Sequence, residues 1–216
     1  LSREDLALIH KAFKQAAEAH RHQRRRSGEP YIFHPIAVAT IVATQMSLDA
    51  TAIASALLHD VVEDTDVTLE DIEREYGPTI ARIIDGLTKI SGISDSNVSV
   101  QAENFRKMLI TISNDIRVIL IKLADRLHNM QTMGAMIRQK QQKIASETLY
   151  IYAPLAHRLG LYNIKTEMED LSLKYTEPEA YENIVRLLRE SDQAQKAYIA
   201  RFIAEVKDML DREDLD

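Results

Sequence analysis

Apolar residues recur along most of this chain with the spacing of helices rather than strands. In EDLALIHKAFKQAAEAHRHQ, positions Leu6, Ile9, Phe13, Ala16 and Ala17 fall on one stripe, as an amphipathic helix requires. Gly28 and Pro30 interrupt the pattern. It resumes after Pro35 in IAVATIVATQM, and Asp49 stands where an N-cap belongs, ahead of ATAIASALLHDVVED. Thr68 opens LEDIEREYG, whose Glu70 and Asp71 suit the positive end of a helix. Gly77 and Pro78 close that element and open TIARIIDGLTKI. The stretch SGISDSNVS, 91–99, breaks the pattern; polar and serine-rich, it is expected to be a mobile loop. Helical spacing returns in QAENFRKMLITIS and, behind an Asn114-Asp115 cap, in IRVILIKLADRLHNMQTM. A long segment over roughly 138–159 carries KIASETLYIYAPLAHRLG. From Glu177 two further helices are expected, the last strongly charged. No internal repeat and no linker divides the chain. The prediction is an all-α helical bundle over 1–195, with a charged C-terminal helix over 196–216.

Composition narrows what such a bundle can do. With 45% hydrophobic and 28% charged residues in 216, the chain can bury a true core. It contains no cysteine, which excludes a disulfide scaffold, a thiolate metal site and a cysteine nucleophile. No apolar run approaches the ~20 residues of a membrane span, and no signal peptide is visible, so a cytoplasmic protein is expected. The chain begins at Leu1 rather than Met, so its natural start is expected upstream. A net charge of −6 argues against direct nucleic-acid binding, whose affinity comes mostly from neutralising phosphates. A small phosphorylated ligand stays open, because HRHQRRRSGEP concentrates Arg21, Arg24, Arg25 and Arg26.

The chemistry centres on LLHDVVEDT, 57–65, where an apolar run leads directly into His59, Asp60, Glu63 and Asp64. On a helix, His59 would stand over Glu63 and Asp60 over Asp64, giving two neighbouring columns and one patch. Three carboxylates so close repel one another, and a divalent cation removes that conflict. Imidazole with carboxylate suits Mn²⁺, Fe²⁺ or Zn²⁺ better than Ca²⁺. Further ligands must come from other apolar helices. Candidates are His34, in PYIFHPIAV, and Asp125, in IKLADRLHNM. Taken alone, His34 would read as a packed histidine, and Asp125 as the partner of Lys122 or Arg126. The ordered set favours the metal.

That set, with RRRSGEPYIFHP, ALLHDVVEDT, YGPTIARIIDGLTKI, VILIKLADRLHNMQTM and ETLYIYAPLAHRLGLYNIKTEMEDLSLKY, resembles the hydrolase domain of the RelA/SpoT family. These are HD-superfamily metal-dependent phosphohydrolases, and the likeness covers roughly residues 3–185. The resemblance implies an HD-domain bundle with His34, His59, Asp60 and Asp125 as ligands to Mn²⁺. It implies that Glu63 and Asp64 handle the proton of the attacking water. Arg25, Arg26 and Ser27 would clasp the guanosine nucleotide, with Asn129 and Thr132 as polar contacts; Lys140 is a further candidate for the phosphates. Asp125, Asn129 and Thr132 share a face by their i, i+4, i+7 spacing. The implied reaction is hydrolysis of the 3′-pyrophosphate of ppGpp or pppGpp. The implied context is a fragment of a longer protein, with intramolecular contacts to synthetase and regulatory domains. One departure is that ISGISDSNVS lacks the lysines that family members often carry after LTK. The alternatives are an HD phosphohydrolase acting on another nucleotide, or a non-catalytic nucleotide-binding module using 91–99 as a lid or relay.

Overall fold

Helix α1, Arg3–Ala19, starts at a capping box: Ser2 Oγ accepts from the Asp5 amide, and the Asp5 carboxylate accepts from the Ser2 amide. The computed structural model describes residues 1–91 and 115–212. The helices that follow α1 are α2 (Phe33–Thr44), α3 (Ala50–Leu58), the single turn α4 (Val61–Asp64), α5 (Leu69–Tyr76), α6 (Pro78–Ser91) and α7 (Ile116–Thr132). A 3₁₀ turn (Met133–Ala135) leads to α8 (Arg138–Glu147). A π-helical turn (Thr148–Tyr152) then joins α8 to α9 (Ala153–Arg158). The last described elements are α10 (Tyr162–Thr176) and α11 (Pro178–Arg212). Between the described helices the only extended pairing is an isolated bridge, Arg24 to Pro30, which folds the arginine loop back on itself. Gly28 sits at its tip with φ 90°, a conformation that a side chain would strain.

The contacts divide the chain into Leu1–Ser172 and Leu173–Asp216. In the first unit α3 is the central element, packing against α1, α2, α6 and α7. Its sequence ATAIASALL explains this: every residue but Thr51 is buried, and the alanines let neighbouring helices approach closely. Its own Leu58, and around it Ile83, Ile84, Ile119 and Leu123, are fully enclosed; burying each such side chain contributes about 1.5–3 kcal/mol. The π turn brings Tyr152 under the Arg126 guanidinium, 4.2 Å from the ring centre, and so pins α7 against the 148–158 segment. Asp49 caps α3 through the Ala52 amide at 2.9 Å. Asp49→Ala is expected to cost about 1 kcal/mol in urea unfolding.

Several expectations need correcting. The buried face of α1 is Ala12 and Ala16; Leu6 and Phe13 are 56% and 38% exposed, because only small residues fit where α1 meets α3. Helix α2 begins at Phe33, not after Pro35, since proline is tolerated in a first turn. The two helices expected from Glu177 are one helix, α11, with no glycine or proline after Pro178 to interrupt it. Apart from Ser91, which ends α6, the loop expected at 91–99 lies outside the described residues, as do QAENFRKMLITIS and Asn114. Asp115 does cap α7, accepting from the Arg117 amide.

Candidate active site

Three separate helical elements bring their polar residues to one point. His34 lies in the first turn of α2, His59 and Asp60 form the junction between α3 and α4, and Asp125 sits midway along α7. The junction differs from the uninterrupted helix expected there. At Asp60 the backbone turns to φ −100° and ψ −4°, so α3 stops at Leu58 and α4 starts at Val61. The link from the Asp64 amide to the Asp60 carbonyl survives at 2.9 Å.

The geometry is tight. His34 Nε2 lies 3.3 Å from Asp125 Oδ1 and 3.5 Å from Asp60 Oδ2. His59 Nε2 lies 3.0 Å from Asp60 Oδ2 and 3.9 Å from Asp125 Oδ1. His59 Nδ1 donates to the Ala56 carbonyl at 2.8 Å, which turns its Nε2 toward the carboxylates. That Nε2 is buried and has no hydrogen-bond partner, despite its closeness to Asp60. Two carboxylates around a buried imidazole nitrogen call for positive charge at that point, which a proton or a cation can supply. His34, His59 and Asp125 form a buried group whose ligand atoms all lie within 4.8 Å of one another. The residues therefore fit a divalent metal.

The surrounding side chains complete this picture. Asp125 Oδ2 accepts from Lys122 Nζ at 2.8 Å, and its Oδ1 accepts from Asn129 Nδ2 at 2.6 Å. The salt bridge to Lys122 thus occupies one oxygen of Asp125 and leaves the other facing the imidazoles. Asp60 Oδ2 accepts from the Tyr31 hydroxyl at 2.6 Å, and the same hydroxyl lies 3.1 Å from Asp64 Oδ2. His34 Nδ1 meets His128 Nδ1 at 2.7 Å, and Arg25 Nη1 approaches that same His128 nitrogen at 3.3 Å. Arg25 Nη2 donates to Asn129 Oδ1 at 2.7 Å.

Ionisation follows from this arrangement. Burial disfavours a charged His59, but the carboxylates of Asp60 and Asp125 outweigh it and lift the imidazole to about 9, so without an ion Nε2 carries a proton that a cation at this point would displace. Burial likewise works against the charged carboxyl of Asp60, and His59 with His34 overcomes it, holding Asp60 well below its usual range. Asp125 is also depressed against burial, first by Lys122 and then by the two imidazoles. Burial, then Asp60 and Asp64, pushes the Tyr31 phenol far up, so it stays a donor. Burial, His34 and Arg25 lower His128 to about 4, keeping it neutral.

The structure joins His34, His59, Asp60, Asp64, Asp125, Asn129 and Arg25 in one network. Glu63, Arg26 and Lys140 are exposed side chains. Ser27 Oγ donates to Glu29, and Thr132 Oγ1 donates to the His128 carbonyl of its own helix. Tyr31 and Gln23 were not anticipated from the sequence; Gln23 holds the Asp64 carbonyl at 2.6 Å and pairs with His20, whose ring lies against Tyr31. His128 stands three residues after Asp125 on α7, a spacing that puts the two on one helix face, whereas Tyr31 lies in the turn before α2.

Comparison with known proteins agrees with this geometry. A family model described as HD domain matches residues 12–162. The guanosine-3′,5′-bis(diphosphate) 3′-pyrophosphohydrolase of Vibrio cholerae is 45% identical over 211 residues, 97% of this chain and 30% of that protein. The bifunctional (p)ppGpp synthase/hydrolase SpoT of Escherichia coli is 44% identical over 211 residues, again 97% and 30%. The chain thus spans about a third of the length of these curated relatives. A solved structure described as a metazoan ortholog of SpoT that hydrolyses ppGpp superposes with a TM-score of 0.56 at 27% identity. That match covers 76% of this chain and 93% of the other. Among the described residues no helix is long and apolar enough to cross a membrane. The resemblance read from the ordered motifs therefore holds, and the chain belongs to the HD-domain family.

Proposed function

We propose that this chain hydrolyses the 3′-pyrophosphate of ppGpp and pppGpp, releasing pyrophosphate and GDP or GTP. The observation that carries this reading is the buried, unpartnered Nε2 of His59 facing Asp60, Asp125 and His34, in a chain whose relatives are named for that activity. His34, His59, Asp60 and Asp125 are the ligands in this reading, and Mn²⁺ is the ion, a choice resting on the family resemblance. When bound, such an ion acts as a Lewis acid and lowers the pKa of water.

The chain's own groups supply the rest. Asp64 is exposed and tied through the Tyr31 hydroxyl to Asp60, so it lies beside the ligands yet open to water. Asp64, with Glu63, takes the proton of the attacking water. The water oxygen bonds to the phosphorus as the bond to the ribose 3′ oxygen breaks, and the proton taken from the water passes to that oxygen, which leaves as the hydroxyl. Arg25, Arg26 and Ser27 on the arginine loop, Asn129 and Thr132 on α7, and Lys140 on α8 contact the nucleotide and its phosphates. Arginine suits this because its fork binds phosphate oxygens in pairs.

In this reading residues 1–195 form the hydrolase domain of a longer cytoplasmic protein. Residues 196–216 lead toward synthetase and regulatory domains that contact it intramolecularly. The domain itself binds neither nucleic acid nor membrane. The test is direct. With Mn²⁺, the chain should convert ppGpp to GDP and pyrophosphate in equal amounts, and EDTA should stop it. Absence of pyrophosphate, or faster turnover of a deoxynucleoside triphosphate or cyclic nucleotide in the same panel, refutes the assignment.

A further inference from the structure

We propose that His128 is a positioning residue that fixes the tautomer of His34, and that Arg25 dictates which tautomer is chosen. The inference rests on the metal-site reading above.

It follows from counting donors. A guanidinium only donates. Arg25 Nη1 lies 3.3 Å from His128 Nδ1, so that nitrogen presents a lone pair. His34 Nδ1 lies 2.7 Å from the same nitrogen and must therefore carry the proton between them. With His34 protonated on Nδ1, its Nε2 keeps a lone pair, and this is the atom 3.3 Å from Asp125 and 3.5 Å from Asp60. The opposite tautomer would set two lone pairs against each other across 2.7 Å. The two rings lie 5.0 Å apart at 29°, so neither can turn without losing its neighbour.

Arg25 reaches the second ligand by a parallel route. Its Nη2 donates to Asn129 Oδ1, and Asn129 Nδ2 donates to Asp125 Oδ1. One arginine on the loop 20–32 thus orients two ligands on two helices, each through one neighbouring residue of α7. A histidine that only filled space beside His34 would accept either tautomer and need no arginine.

The test compares the chain with His128→Leu and His128→Asn. Mn²⁺ affinity is read from the free-ion paramagnetic resonance signal. His128→Leu should weaken binding about 10- to 100-fold, the usual cost of losing an orienting partner. His128→Asn, which keeps an oxygen acceptor, should recover most of that loss. In the ion-free chain, at a pH where His34 is neutral, ¹⁵N spectra of the imidazoles should place its proton on Nδ1, and His128→Leu should release it to Nε2; a proton on Nε2 in the parent overturns the proposal whether or not the variants fold. If the parent binds Mn²⁺ and His128→Leu binds it equally well, this inference alone fails. If the parent binds no ion, the metal-site reading fails and takes this inference with it.

Discussion

Replacing Asp125 with alanine should destabilise the chain by about 3 kcal/mol even with EDTA present, besides abolishing metal binding. The reason lies on the far side of the carboxylate from the imidazoles. Lys122 Nζ donates to Asp125 Oδ2 at 2.8 Å, and their side chains are 13% and 8% exposed. Burial alone would depress the lysine, yet Asp125 raises it above its ordinary value, so the pair is held charged. Alanine leaves that ammonium enclosed without the carboxylate it faces, and the penalty falls on folding. The pH dependence follows. The native pKa of Asp125 is depressed below 3.8, so its contribution is complete at neutral pH and disappears as pH falls toward the native value. Urea unfolding in EDTA at pH 7 measures the deficit. Adding Lys122→Met to Asp125→Ala should restore most of the stability and none of the metal affinity. If Asp125→Ala in EDTA is as stable as the parent, Asp125 does not hold Lys122 in this way.

The double duty of Asp125 marks where the sequence was legible and where it was not. Helical spacing and caps are local, so Asp49, Thr68 and Asp115 could be read as helix starts, and all three cap the helices they precede. Polar residues inside apolar runs are conspicuous for the same reason, which is why His34, His59, Asp60 and Asp125 stood out. What a stripe faces is decided by tertiary packing. On α1 the larger Leu6 and Phe13 read as core, yet the close approach to α3 admits only Ala12 and Ala16. The junction after Leu58 was equally hidden, since nothing in LLHDVVEDT breaks a helix by propensity. Lys122 and Asp125 were visible as a pair, but only as a rival to the metal. The structure shows a carboxylate with one oxygen on Lys122 and the other facing the imidazoles. Tyr31 escaped notice because its role depends on a partner 29 residues away.

Asp60→Asn should reduce hydrolysis about 1,000-fold or more while leaving the fold intact, a loss of at least ~4 kcal/mol in the barrier. The substitution keeps the shape and still offers an oxygen to the Tyr31 hydroxyl, 2.6 Å away. What it removes is the negative charge 3.0 Å from His59 Nε2 and 3.5 Å from His34 Nε2. Without it, Asp125 stands opposite Lys122 and no net negative charge remains between them to hold a divalent ion. The consequence is visible without substrate. An ion that binds only the folded chain stabilises it by about 2.7 kcal/mol at 100 times its Kd, so Mn²⁺ should raise the Tm of the parent. In Asp60→Asn the same Mn²⁺ should leave the Tm unmoved, although in EDTA the two chains melt within a few degrees of each other. A variant that keeps the Mn²⁺-induced rise would show that the ion is held without Asp60. A parent that shows no rise would remove the ion from this cluster altogether.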